Sequence, residues 1–388
     1  MINSSAQAAE ALEIRAGGPP QWLVKACGRA NVIGEHTDYN DGLVLPGAID
    51  RFLFFAARPN GLPMLRLWSL DLGEQVEVSL AEPLNRQSRN WVNYCLGIAQ
   101  QFQQLGHELP GLDIAFGGNL PIGAGVSSSA ALETGLATLW NEVLGAGLSG
   151  PDLARLAQRS SHQFVGIPCG IMDQFASLMG RQNQLILLDC RSLDYQYIPA
   201  DTGAYAWVLL NSKVHHALAD SAYPLRVQEC RTGVAALQRR FPEVSSLRDA
   251  APEQLEACRP ELDPTVFRRC AYVIGEIGRT HQAAACLRGG ELERLGQLLF
   301  ATHEGLSRDY EVSCPELDFL VNYAAGYPGV LGSRLMGGGF GGCTINLVDR
   351  NLAGDFAADA LETYRTTLGI EGENLLFSFS DGTRLLPV

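Results

Sequence analysis

No segment of this sequence approaches the roughly 18 consecutive apolar residues of a membrane-spanning helix, and the opening MINSSAQAAEALEIRAGG lacks the apolar stretch of a signal peptide. A membrane partner is not expected, and the expected location is the cytoplasm. Dense Lys/Arg runs are missing too. The 42 acidic residues outnumber 29 basic ones for a net charge of -13, which disfavours a nucleic-acid or anionic membrane partner. CxxC pairs and close Cys/His clusters are absent although there are 10 cysteines, and the 7 histidines include no HExxH. The cysteines read as small buried hydrophobes in a reducing compartment, so neither a disulfide frame nor zinc chemistry is expected. Internal repeats, low-complexity tracts and long linkers do not occur.

What is present begins with length. At 388 residues the chain exceeds one ordinary core, so two domains of comparable size are expected, and its 46% apolar share is that of a globular enzyme. Up to about residue 58 it reads as strands and turns: WLVKAC, LVLPGAI and RFLFFAAR, interrupted by the polar loop GRANVIGEHTDYNDG, in which Asn40-Asp41-Gly42 signals a turn. WVNYCLGIAQQFQQLG sets Trp91, Tyr94, Cys95 and Ile98 at helical spacing, and LDIAF alternates like a strand. After a glycine loop, apolar residues recur at helical intervals from Ala130 to Leu144, giving the context strand, glycine loop, helix. Residues 151 to 165 read as a helix and LILLD as a strand. From 206, AWVLLNS opens a second set: a mostly helical stretch to about 325, the strand CTINLV, the helix DFAADALETYR and a last strand LLFSFS. The boundary falls at IPADTGAY, giving domains of 1–200 and 201–388. Strands and helices do not alternate regularly, which makes the class α+β.

Four polar or glycine-rich stretches carry the chemistry. In Pro121-Ile122-Gly123-Ala124-Gly125-Val126-Ser127-Ser128-Ser129, glycines admit close backbone approach, serines add donors and the following helix start offers free N–H groups. That suits a phosphate; a serine-capped helix start is an equal reading of the same residues. Met336-Gly337-Gly338-Gly339-Phe340-Gly341-Gly342 sacrifices roughly 0.5–1 kcal/mol per glycine relative to alanine in regular structure, which implies close backbone contact there. Arg29, Glu35, His36 and Asp38 crowd into one polar loop suited to the vicinal hydroxyls of a sugar, or to a salt-bridge network. Asp173 stands among apolar residues in CGIMDQF and needs a partner, for which Arg29 is a candidate.

Together these stretches resemble the GHMP superfamily of small-molecule kinases, and within it the galactokinase family. GRANVIGEHTDYN is similar to that family's sugar-binding signature, PIGAGVSSSAALE to its phosphate loop and GGGFGGCTI to its third motif. PCGIMDQF, NSKVHHALADSAYPLR and RDYEVSCPELD resemble further family segments, in order and over nearly the whole chain. The resemblance implies an N-terminal domain like ribosomal protein S5 domain 2, a ferredoxin-like C-terminal half and an active site between them. It also implies ATP and Mg2+ as cofactors, and transfer of the γ-phosphoryl group to the anomeric hydroxyl of α-D-galactose. By the same resemblance Asp173 is the base facing the C1 hydroxyl, and Arg29 keeps it ionised and offsets charge on the moving group. Glu35, His36, Asp38, Gly170 and Tyr223 are implied to hold the sugar, with Asp38 and Glu35 reading its axial 4-OH. Trp91, with Tyr94, is implied to flank adenine. Gly123, Ala124, Gly125, Val126, Ser127, Ser128 and Ser129 are implied to hold the phosphates, Ser129 also reaching the metal. A small sugar and MgATP are the expected partners, and a monomer the expected state.

The chain also departs from the family pattern. Galactokinases commonly carry Ala-Glu-His before their catalytic aspartate, the Glu binding magnesium; here Ser160-Ser161-His162 stands there. Serine cannot supply that anion, so Ser129 and the ATP phosphates are expected to hold the metal, aided by Glu133 one helical turn on. Lys-Ala-Cys-Gly replaces the usual Ala-Pro-Gly before Arg29, a change read as packing. Two rival functions follow. One is a GHMP kinase for N-acetylgalactosamine or L-arabinose, against which the intact GEHTDYN argues. The other is a catalytically silent sugar and ATP sensor, which Ser161 favours and the SSSAA run with Arg29 and Asp173 opposes.

Overall fold

The computed structural model describes residues 2–215 and 219–388. In chain order the strands are β1 Trp22–Asn31, β2 Leu43–Val44, β3 Pro46–Pro59, β4 Met64–Ser69, β5 Glu74–Ser79, β6 Leu112–Gly118, β7 Gln184–Asp189, β8 Tyr195–Pro199, β9 Tyr205–His215, β10 Val330–Leu335, β11 Gly341–Asp349, β12 Glu373–Leu375 and β13 Arg384–Leu386. The helices are α1 Ser5–Ala16, α2 Asn90–Gln104, α3 Ser128–Val143, α4 Gly150–Ser160, α5 Met172–Met179, α6 Ala219–Arg240, α7 Pro252–Cys258, α8 Pro264–Gly289, α9 Leu292–Glu304, α10 Pro315–Gly326 and α11 Ala353–Leu368.

Three sheets form, in the orders β13-β1-β3-β6-β4-β5, β10-β11-β9-β12 and β2-β7-β8. Pairing is antiparallel except between β4 and β6. Strand β1 sets the site. Its interior is apolar and buried through Ala26 and Cys27, but its register with β3 shifts between Cys27 and Arg29. Such a bulge re-aims the following side chain, here Arg29. Gly28 sits at the shift, and a Cβ there would meet Val126 O at 2.7 Å. Its bareness lets the glycine loop lie on β1, where Arg29 N–H donates to Val126 O at 3.1 Å.

The apolar packing explains the elements. α3 buries Ala131, Leu136 and Trp140 against Val24 and Phe55 of the first sheet, in a cluster that also takes in Leu209 and Ile345 of the second. A separate cluster seats Tyr272 of α8 beside Tyr310 and Leu335. All 10 cysteines are free, and no helix among the described residues is long and apolar enough to cross a membrane.

Two sequence expectations fail locally. The first residues are not all strands and turns: α1 occupies 5–16, with Ser4 accepting from Gln7 N–H at one end and Gly17 in the left-handed region at the other. It buries only Ala8 and Leu12, too weak a stripe to show as a periodicity. LLFSFS is not one strand either. Only Glu373–Leu375 pairs with β9, and beyond it a lone bridge joins Phe379 to Ile49. The residues alternate, but the segment changes partner midway: it leaves β9 after Leu375 and then bonds β3, with Asp50 N–H donating to Ser378 O at 3.0 Å and Ser380 N–H to Ala48 O at 2.9 Å.

Candidate active site

Arg29, 4% exposed, donates from Nε to Asp173 Oδ1 at 2.7 Å and from Nη2 to Oδ2 at 3.0 Å, a two-pronged ion pair. Its Nη1 donates to Gly125 O at 2.6 Å, so one guanidinium ties the aspartate to the glycine loop. Ser127 donates its hydroxyl to Asp173 Oδ2. That geometry needs Ser127 at φ 61, a left-handed turn just before α3 that leaves the helix start open to the pocket. Asp173, in the first turn of α5, stays 32% exposed despite these bonds.

Two cavities share Arg29 and Asp173 as a common wall. One is lined by Gly123, Gly125, Ser127, Ser128, Ser129 and the glycines from 338 to 342. The two glycine loops touch: a Cβ on Gly125 would come 3.3 Å from Met336 O, and one on Gly337 would come 3.3 Å from Gly125 O. Ala124 and Val126 are buried beneath this cavity, and Ser129 is exposed at its edge. The other cavity is lined by Glu35, His36, Asp38, Gly170, Tyr223 and Gly337.

Electrostatics differ sharply across the second cavity. Burial and the neighbouring Asp173 charge push Asp38 up to about 7. Burial, with Arg226 nearby, holds His36 down to about 3, so its ring is neutral near pH 7. His36 Nδ1 pairs with Tyr39 OH at 2.8 Å, while Nε2 is buried and has no partner among the described residues. Gly170 is obligatory, because a Cβ there would fall 1.8 Å from Asp38 Oδ2. The Tyr223 ring centroid lies 5.6 Å from those of both His36 and Tyr39, tilted against the first and edge-on to the second.

Glu35 is different. It is 1% exposed, accepts from Arg334 Nη1 at 2.9 Å and Gly337 N–H at 2.6 Å, and its other oxygen accepts from Asn31. Arg334, fully buried, also caps Val32 O at 2.7 Å. Glu276 of α8 holds Gly34 N–H at 2.9 Å. Arg334, Asn31 and Glu276 escape a motif reading, although an arginine inside the apolar strand VLGSRL signals a buried anionic partner. Trp91 and Tyr94 lie outside the lining of both cavities; the Trp91 indole N–H is held by Glu74 at 2.8 Å and its ring packs edge-on to Phe116. Glu133 is buried, with both oxygens occupied by Ser161 and Gln174.

The described residues hold no group of three or more His, Cys, Asp or Glu suited to a metal. The glycine-loop cavity nonetheless offers hydroxyl oxygens and one carboxylate, a set that fits magnesium arriving with phosphates and keeping several waters.

A glycine-lined cradle and a small polar cavity meeting at one Arg–Asp pair is the arrangement of a small-molecule kinase. Residues 93–181 match the family GHMP kinases N terminal domain and 283–366 match GHMP kinases C terminal. The fold is that of the GHMP kinases: a mevalonate kinase structure, 18% identical, superposes with a TM-score of 0.59 over 94% of this chain and 98% of its own. Residues 13–59 match the galactokinase galactose-binding signature. The chain is 40% identical to the galactokinase of Roseiflexus sp. (strain RS-1), over 94% of this chain and 92% of that one, and 41% identical to that of Homo sapiens, over 90% and 89%. The structure of Lactococcus lactis galactokinase complexed with galactose, 30% identical, matches with a TM-score of 0.93 over 98% of this chain and 99% of that chain. This chain belongs to the galactokinase family, and is a kinase that takes ATP as substrate.

Proposed function

We propose that this protein transfers the γ-phosphoryl group of ATP to the anomeric C1 hydroxyl of α-D-galactose, giving galactose 1-phosphate and ADP. One observation carries the reading: Arg29 and Asp173 form the wall common to the glycine-loop cavity and the polar cavity lined by His36, Asp38 and Tyr223, where the two substrates would meet. The C1 oxygen forms its bond to Pγ as the bond from Pγ to the β–γ bridging oxygen breaks. The hydroxyl proton passes to Asp173, and ADP leaves with the bridging electrons. The transition state is loose, so alignment and charge stabilisation outweigh strong base catalysis. Arg29 serves both ends, orienting Asp173 and facing the moving phosphoryl group. Asp38, the His36 Nε2 and Tyr223 hold the sugar; Trp91 with Tyr94 is the candidate adenine flank, and the Ser127–Ser129 hydroxyls with the α3 start hold the phosphates. Ser129, with the nucleotide phosphates, would hold magnesium, which when bound would neutralise charge on the triphosphate.

Domains of 1–200 and 201–388 and a cytoplasmic setting belong to this reading. One chain supplies every group of the site, so a monomer suffices. The test is purified protein with MgATP and a panel of galactose, glucose, N-acetylgalactosamine and L-arabinose, followed by ADP release. Galactose is expected to be the preferred acceptor. Galactose binding without ADP release would make the protein a sensor instead, and preference for another sugar would overturn the substrate.

A further inference from the structure

Glu133 has no role in the scheme above, yet three elements of the site converge on it. It lies on α3, whose start is the serine loop, and is 1% exposed. Its Oε1 accepts from Ser161 Oγ at 2.5 Å, in the π-helical turn Ser161–Val165 that follows α4. Its Oε2 accepts from Gln174 Nε2 at 3.1 Å, and Gln174 follows Asp173 directly on α5. The Gln174 carbonyl oxygen is buried without a partner among the described residues, so the amide is anchored through its nitrogen.

Packing does not ask for a carboxylate there. No cation among the described residues reaches Glu133, whose partners there are two neutral donors, and burial pushes it up to about 7. Apolar groups of the same shape in place of Glu133 and both its donors would cost the fold little. What the carboxylate adds is a fixed span between α3 and α5, that is, between the serine loop and the aspartate.

We propose that Glu133 is a positioning residue for phosphoryl transfer, gripping Gln174 and Ser161 so that Asp173 is held in register with the serine loop. This rests on the kinase reading. Wild-type enzyme that releases no ADP would sink that reading, whereas the outcomes below are scored against an active wild type.

Glu133→Leu removes both acceptors and is expected to lower kcat by about 10- to 100-fold, the scale of a misplacement near 1 Å, with galactose affinity by calorimetry changed by less than about 2-fold. Glu133→Gln can keep both contacts by presenting its oxygen to Gln174 and its amide to Ser161, and is expected to stay within about 3-fold of wild type, a difference of under 1 kcal/mol. Gln174→Glu sets two carboxylates face to face and is expected to lose kcat. Adding Glu133→Gln to it restores donor and acceptor with their roles exchanged, and recovers activity. This pair decides the matter should Glu133→Leu fail to fold. Unchanged kcat in Glu133→Leu, a Glu133→Gln loss as deep as that of Leu, or failure of the exchanged pair to recover overturns the proposal. So does a drop in melting temperature with kcat per folded molecule intact.

Discussion

At the scale of single residues, two acidic groups of one loop have parted ways. Glu35 is locked between Arg334, Asn31 and Gly337, so its removal strands a fully buried guanidinium. Glu35→Ala is expected to lose about 3–5 kcal/mol of unfolding free energy, read by denaturant titration. Asp38 makes no ion pair among the described residues and is raised by burial from 3.8 to about 7. Its folded state holds the proton more tightly than the unfolded chain, so its share of stability is full below 3.8 and falls away as pH climbs through about 7. Asp38→Asn should therefore melt higher than wild type at pH 8, lose that advantage by pH 4, and bind galactose poorly throughout. In wild type, galactose affinity should weaken as pH drops below about 7 and Asp38 takes up its proton. Asp173→Ala should abolish ADP release while calorimetry still shows galactose binding; retained turnover would contradict the role given to Asp173. The sequence displays these carboxylates as equals in GEHTDYN. What separates them is Arg334, some 300 residues away, a pairing that no local pattern encodes.

At the scale of elements, the glycine loops illustrate what spacing reveals. Both are legible as places where backbone approaches something closely, and they approach each other. Gly339 shows the constraint at its tightest: φ is 82°, and a Cβ would lie 2.1 Å from Val312 O. Gly339→Ala must shift backbone as well as adopt a left-handed conformation costing about 1–2 kcal/mol. It is expected to raise KM for ATP more than KM for galactose, as measured by ADP release with each substrate varied. The long helices and β1, β6, β9 and β11 are legible because their apolar periodicity matches their burial. α1 and the LLFSFS segment are not, since one has too small a stripe and the other passes from β9 to β3 partway along.

Across the whole molecule, the first sheet is completed from the far end of the sequence. β13 pairs with Leu23, Val24 and Lys25 of β1, and Cys27 N–H donates to Thr383 Oγ1, 356 residues away. Thr383 Oγ1 also meets Ser177 Oγ at 3.0 Å, and Ser177 donates to Cys27 O at 2.7 Å. The strand bearing Arg29 and the helix bearing Asp173 are thus buttressed by one late segment. Ending the chain at Gly382 is expected to lower the melting temperature and to reduce kcat in the fraction that still folds, as followed by calorimetry and ADP release. Which strand closes the sheet is not legible locally, because RLL is too short to announce itself against the background of turns.

That closure gives the protein an intrinsic clock. While the polypeptide is being translated, the catalytic strand can already be threaded and apolar, but its outer flank stays unpaired until Thr383 and the residues after it have left the ribosome. A chain released only as far as Gly382 therefore carries an open edge on β1, and the brace that Thr383 lends to Cys27 and Ser177 arrives after the residues of both cavities have been made.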